Sequence, residues 1–168
     1  MSIAEHKEKG KPSIRCFVVT VSDTRDESTD TSGQTIKKLL AAEGHQTAGY
    51  RIVKDEPAQI QALLTAALGT ADVDAVIVNG GTGIAPRDGT YEVVSRLLEK
   101  KLDGFGEIFR YLSYLDIGSA AIMSRAAAGT AGGKILISLP GSSGAVKLAM
   151  EKLILPEIRH MVSQLQGK

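Results

Sequence analysis

The chain has 168 residues, with 20 Lys and Arg against 19 Asp and Glu, a net charge of +1, and 43% hydrophobic and 23% charged residues. That length fits one domain burying a little under ~70% of its unfolded surface, and the composition is ordinary for a soluble globular protein. The near-balance of charge gives no electrostatic footprint for nucleic acid or for an anionic membrane, and no segment approaches the ~20 apolar residues of a membrane span.

The start, MSIAEHKEKGKP, lacks the apolar stretch of a signal peptide. Residues 1–12 read as a flexible tail, residues 13–168 as a single domain, and the expected location is the cytoplasm. Cys16 is the only cysteine, so no intramolecular disulfide can form, and its apolar neighbours mark it as a buried, inert thiol. His6, His45 and His160 are scattered, none at metal-ligand spacing.

Residues 14–21 read as a first strand. Thr31, with Gln34 three residues on, resembles a capping box, and Ile36, Leu39 and Leu40 give one apolar helix face before Gly44. Residues 46–53 read as a second strand. Asp55 is a natural N-cap with Pro57 in the first turn, and Ile60, Leu63, Leu64, Ala67 and Leu68 form a helical stripe. The apolar run 73–78 reads as a strand buried on both faces. Thr90 is expected to cap a short helix with Val94, Leu97 and Leu98 inward. After an atypical stretch, residues 127–131 and 135–139 can pair across Gly132-Gly133 as a hairpin. One helix then starts near Ser143, and a last one carries Ile158, Met161, Val162 and Leu165. This order predicts an α/β fold, a three-layer α/β/α sandwich around a mostly parallel twisted sheet.

Each strand expected to be parallel is followed by a polar or glycine-rich loop: 22–26, 54–56, 79–88 and 140–142. Parallel strands put such loops at one edge, where open α/β sheets bind ligands. Gly80, Gly81 and Gly83 would let backbone N–H groups reach an anion with no Cβ in the way. Glycine loops and helix N-termini would bind phosphates, and carboxylates from two loops would hold Mg²⁺ against them. Plainer readings fit each piece alone. Asp55 and Asp88 also suit caps or turns, and Ser22 and Asp23 an exposed loop with Asp26, Glu27 and Asp30 solvated. The glycine loop matches neither the dinucleotide fingerprint G-x-G-x-x-G nor a Walker loop with its Lys.

Taken in order, TVSDTRD (20–26), IVKDE (52–56), NGGTGIAPRD (79–88), GFGEIFR (104–110), SRAAAG (124–129) and LPGS (139–142) resemble the MoaB/MogA family of molybdenum-cofactor biosynthesis proteins. The segment IFRYLSYLDIGSAAIMSRAAAG looks most like the MoaB branch. The resemblance implies a molybdopterin-binding MogA-like fold, and adenylylation of molybdopterin by Mg-ATP with release of pyrophosphate. By motif match, Asp55 and Asp88 take the places of the functional carboxylates and would hold Mg²⁺. Ser22, Asp23, Gly80, Gly81, Thr82, Gly83, Ser124, Arg125, Pro140, Gly141 and Ser142 fall on the nucleotide and pterin-phosphate segments. For Arg125, a structural ion pair fits as well. Asn79 stands where Thr is commoner and Gly89 where an aliphatic residue is usual, which puts the rigidity beside Asp88 in question. Two other functions are weighed: a molybdopterin carrier or scaffold without transferase activity, and a nicotinamide-dependent oxidoreductase on a similar sheet.

Phe105, Phe109, Tyr111 and Tyr114, with Ile108, Leu112, Leu115 and Ile117, make a segment apolar on too many sides for a lone surface helix. With the family resemblance this leads to an expected homo-oligomer, a hexamer first and a trimer second.

Overall fold

A computed structural model describes residues 11–167. Of the expected tail, residues 1–10 lie outside the described residues. Lys11 is anchored, donating from Nζ to both carboxylate oxygens of Asp74 at 2.7 and 2.8 Å.

Six strands form one sheet in the order β2-β1-β3-β6-β5-β4. They are β1 (Arg15–Val21), β2 (Gln46–Val53), β3 (Ala75–Asn79), β4 (Lys100–Lys101), β5 (Ala127–Ala131) and β6 (Lys134–Leu139). β2, β1, β3 and β6 run parallel; β5 is antiparallel to both β6 and β4. The β5–β6 turn uses Gly132 and Gly133 at φ 55° and 73°, the double positive-φ geometry that matches strand twist. At the far edge, β4 is two lysines long, a short charged strand of the kind that discourages edge pairing.

Side-chain alternation divides the core. Cys16 and Val18 of β1 and Ala75 and Ile77 of β3 face one layer; Val19, Val21, Val76 and Val78 face the other. The first layer holds α1 (Thr31–Ala42), α4 (Asp103–Ile117), α5 (Ser143–Ala149) and α6 (Leu155–Leu165); the second holds α2 (Pro57–Leu68) and α3 (Thr90–Leu97). The α/β/α sandwich follows from this two-sided burial. α5 and α6 are joined through a π-helical segment, Met150–Ile154. Pro156 follows it and has no N–H for an α ladder, so the wider turn sits where the regular bond cannot form.

Three helix starts differ from expectation. α1 is capped by Asp30, whose carboxylate accepts from Gly33 N, not by Thr31. α2 starts after Glu56 without a side-chain cap, and α3 after Gly89, with Thr90 already helical. This leaves Asp55 and Thr90 for other contacts. α4 turns Phe109 into the core, 1% exposed, and leaves Ile108, Tyr111, Tyr114, Leu115 and Ile117 between 51 and 64% exposed. A 3₁₀ segment, Gly118–Met123, follows.

Candidate active site

The order in which strands are added switches sides at β1, with β2 on one side and β3 and β6 on the other, while all four stay parallel. The crevice outside the carboxyl ends of such strands is where α/β sheets bind ligands. A cavity of about 550 Å³ opens there, lined by the ends of β1, β3 and β6 and roofed by α4 and the 3₁₀ segment. Of the site residues expected from sequence, Ser22, Gly80, Gly81, Thr82, Gly83, Asp88, Ser124, Pro140, Gly141 and Ser142 line it. Asp23, Asp55 and Arg125 stand behind this wall.

The glycine loop packs against its own protein. Gly80 and Gly81 have φ 93° and 66°, backbone that favours glycine. A Cβ on Gly81 would lie 2.7 Å from Asp55 Oδ2 and closer still to Thr90 Oγ1, and one on Gly83 would strike Asp88 Oδ2. The space a Cβ would take is therefore filled by Asp55 and Thr90 at Gly81 and by Asp88 at Gly83, so these two glycines serve the packing of the loop. Gly80 N donates to Leu139 O at 3.0 Å, tying β3 to β6. The N–H groups of Gly81, Thr82 and Gly83 carry no partner among the described residues. A Cβ on Gly89 would come within 2.8 Å of Pro57 Cγ, so an aliphatic residue there would need the Pro57 ring to shift.

Beneath the loop lie the carboxylates. Asp55 is 7% exposed, and its Oδ1 accepts from Gly89 N at 3.2 Å. Burial raises its carboxyl pKa, the Gly89 N–H opposes that, and the charges of Asp88 and Asp23 add to the rise. Asp88 Oδ2 accepts from Ala85 N at 3.1 Å. Asp23 accepts from Arg87 Nε and Nη2 at 2.6 and 3.0 Å and from Asp55 N at 3.2 Å. The Arg87 bonds first, then the Asp55 N–H, pull the Asp23 carboxyl down to about 2. Arg125 donates to Thr82 O at 2.8 Å and to Gly83 O, pairs with Glu92, and lies 4.7 Å from the Tyr91 ring centroid. It clamps the loop from outside. Among the described residues no three His, Cys, Asp or Glu side chains are arranged to hold a metal. Thr90 Oγ1 and Ser124 Oγ are buried without a hydrogen-bond partner.

At the other end, Ser22 Oγ accepts from Thr24 N and Arg25 N at 3.3 and 3.1 Å, and Ser142 Oγ accepts from Ala145 N at 3.3 Å. A hydroxyl accepting in this way keeps its proton for a further acceptor. The loops meet where Gly141 approaches Gly80, so closely that a Cβ on Gly141 would stand 3.0 Å from Gly80 Cα.

Residues 17–160 match the family model described as "Probable molybdopterin binding domain". A molybdenum cofactor biosynthesis protein B from Halalkalibacterium halodurans is 54% identical over 166 residues, covering 98% of each chain. A crystal structure of a molybdenum cofactor biosynthesis protein B superposes with a TM-score of 0.91 at 54% identity, covering 94% of this chain and 99% of that one. The chain belongs to the MoaB/MogA family of molybdenum cofactor biosynthesis proteins. A tungsten cofactor synthesizing protein MoaB from Pyrococcus furiosus shares the fold at TM-score 0.82 and 35% identity, over 93% of this chain and 99% of that chain.

Within this family fold, the cavity also includes residues that sequence reasoning did not assign. Arg25 and Asn79 line it from the strand ends, and Phe109 and Ser113 from α4. Asn79 is fully buried, its Nδ2 donating to Val19 O and Thr20 Oγ1 at 3.1 and 2.9 Å. That bond pins β3 to β1 where the glycine loop departs. Arg25 lies inside the quoted TVSDTRD motif, so its position in a loop after β1 was the available signal. Nothing local signals Ser113, which depends on how α4 crosses the sheet.

Proposed function

We propose that the chain is a molybdopterin adenylyltransferase. One observation carries the reading: a buried carboxylate, Asp55, beside Asp88, under a glycine loop with free N–H groups at the rim of a cavity of about 550 Å³. Burying a carboxylate near two others is costly unless a cation offsets it, and the unpartnered Thr90 hydroxyl adjoins the same spot. These residues fit Mg²⁺, which usually takes one or two carboxylates and completes its shell with phosphate and water. Asp55 and Asp88 would hold it; when bound, it neutralises charge on the triphosphate.

The remaining work falls to this chain's own groups. The N–H groups of Gly81, Thr82 and Gly83 hold phosphate oxygens of ATP, and the Ser22 and Ser142 hydroxyls donate to the phosphate of the pterin. A terminal oxygen of that phosphate bonds to the α-phosphorus of ATP as the bond to the β-phosphate oxygen breaks, giving adenylylated molybdopterin and pyrophosphate. Such transfer needs positioned reactants and charge stabilisation rather than a protein nucleophile. Asp23 acts indirectly, fixing Arg87 and the Asp55 backbone, and Arg125 holds the loop. The test is pyrophosphate release from ATP, Mg²⁺ and molybdopterin, with adenylylated pterin as the expected product.

A second reading, a molybdopterin carrier, draws support from the position of Asp55, which stands outside the cavity lining. It requires pterin binding with no pyrophosphate release, so the same assay separates the two. We further propose that residues 13–168 act as one domain, in the cytoplasm. The outward face of α4, with Ile122 at 82% exposure beyond it, supports assembly as a hexamer, with a trimer as the smaller alternative. An apolar patch of that kind is characteristic of an interaction surface.

A further inference from the structure

Among the described residues, Arg25 is the single cationic side chain in the wall of the cavity. Its loop is shaped by Ser22 Oγ, which accepts from Arg25 N at 3.1 Å. Its Nη1 donates to Ser32 Oγ at 3.1 Å and Gly141 O at 3.4 Å, and stands 3.6 Å from Asp30 Oδ1. Nε and Nη2 have no partner among the described residues, and the side chain is 32% exposed. A guanidinium held through one nitrogen and open at two others presents the fork that binds phosphate in bidentate fashion.

Its support is buried. The Asp30 side chain is 0% exposed; it accepts from Gly33 N at 2.9 Å and from Tyr50 Oη at 2.6 Å. Tyr50 sits on β2, so a fixed carboxylate reaches Arg25 from the side away from the cavity. Electrostatically, the crevice then has two unlike ends: Asp55 and Asp88 under the glycine loop, and Arg25 beside Gly141. A phosphate carrying its own cation suits the first, and a bare phosphate monoester suits the second.

We propose that Arg25 is the substrate-binding residue that selects a phosphate monoester, placing the phosphate of the pterin between Ser22 and Ser142, with Asp30 as its positioning residue. This rests on the pterin-binding reading above and adds an order to the site: the acceptor phosphate at the Arg25 end, the nucleotide at the carboxylate end. Arg25 thereby separates two anionic substrates that would otherwise compete for the same donors.

The test uses the full chain and three probes: 6-hydroxymethylpterin phosphate, unphosphorylated 6-hydroxymethylpterin, and ATP with Mg²⁺. Arg25→Gln keeps a donor for Gly141 O and lies on an exposed loop, and its melting curve checks the fold. It is expected to weaken the phosphorylated pterin roughly 10- to 100-fold, the loss of a charge-assisted bond, and to leave the other two probes within about twofold. Arg25→Lys should recover part of the loss. Asp30→Asn should lower the preference for the phosphorylated over the unphosphorylated pterin, a ratio that a general loosening of the fold would not move. Equal weakening of both pterins by Arg25→Gln, or weakening of ATP instead, would overturn the assignment. So would a wild-type chain with no preference for the phosphorylated pterin. Pyrophosphate release on the same preparation reports separately on transfer: phosphate preference without pyrophosphate would leave Arg25 in place and remove the adenylyltransferase reading.

Discussion

The carboxylate of Asp55 accepts the backbone N–H of Gly89, the residue after Asp88, at 3.2 Å. One bond thus joins the loop after β2 to the loop after β3 and brings both candidate metal-binding carboxylates to one spot. Expected from sequence as a helix cap, Asp55 caps nothing in its own helix and ties the start of another.

Asp55→Asn and Asp88→Asn are each expected to lower adenylylation by ~10²–10³, the usual loss when one electrostatic stabiliser of a transition state is removed. An amide oxygen can still accept from Gly89 N or Ala85 N, so the fold should hold. Pyrophosphate release at saturating ATP is the measurement; near-normal turnover in either variant would remove that carboxylate from the chemistry.

Stability should move the opposite way. Because burial, with Asp88 and Asp23 nearby, raises the Asp55 carboxyl pKa, the folded chain keeps a proton that the unfolded chain has released. This contribution is complete in acid and disappears as pH rises from the ordinary carboxylate range through the raised value. Asp55→Asn should therefore unfold at higher denaturant than wild type at pH 7.5, with the gap closing near pH 3. A less stable variant at neutral pH would contradict this. The Asp23–Arg87 pair behaves in reverse, since its carboxyl is drawn down to about 2: whatever stability it adds is present above the ordinary carboxylate range and fades as pH falls toward that value.

Gly81→Ala should lose both stability and binding. The new Cβ meets Asp55 and Thr90 and the backbone is left at φ 66°, strain on the order of 1–3 kcal/mol. At this chain length each kcal/mol lowers Tm by about 2–4 °C. Gly133→Ala, at φ 73° with nothing within 4 Å of the new Cβ, isolates the backbone component and should leave nucleotide binding unchanged. Lost binding at an unchanged Tm for Gly81→Ala would mean that a ligand, and not Asp55, fills that space.

Light scattering at micromolar concentration should give three or six times the 17.7 kDa chain mass. Ile108→Glu combined with Leu115→Glu, both on the exposed side of α4, should reduce it to one. A wild-type monomer would contradict the proposed assembly.

The strands were legible because burial of β1, β3 and β6 on both faces imposes largely apolar runs, and the helices because one-sided burial imposes apolar stripes. The hairpin at Gly132-Gly133 was legible for a similar reason, since both glycines adopt positive φ. Asp30 was not. It lies in a polar run, 26–30, that reads as solvated, and its burial depends on Tyr50 from β2 and Arg25 across the loop. Gly80 and Gly81 were noticed as glycines, but whether protein or ligand occupies the missing Cβ is decided by loops distant in sequence. For Arg125 the charge was visible; its commitment to Thr82 O, Gly83 O and Glu92 was not.

The two ends of the crevice close over very different lengths of chain. Gly89 N and Asp55 are 34 residues apart, whereas Arg25 and Gly141 are 116 apart. On a ribosome the N-terminal part emerges first, and contacts near in sequence close at lower entropic cost. The carboxylate end can therefore assemble once α3 has emerged, while the Arg25 end waits for β6 and the loop beyond it. A nascent chain stalled before residue 139 would hold the candidate metal-binding half without the half proposed to receive the acceptor, so under the proposed function a premature product could take up a cation and still be unable to dock a pterin phosphate.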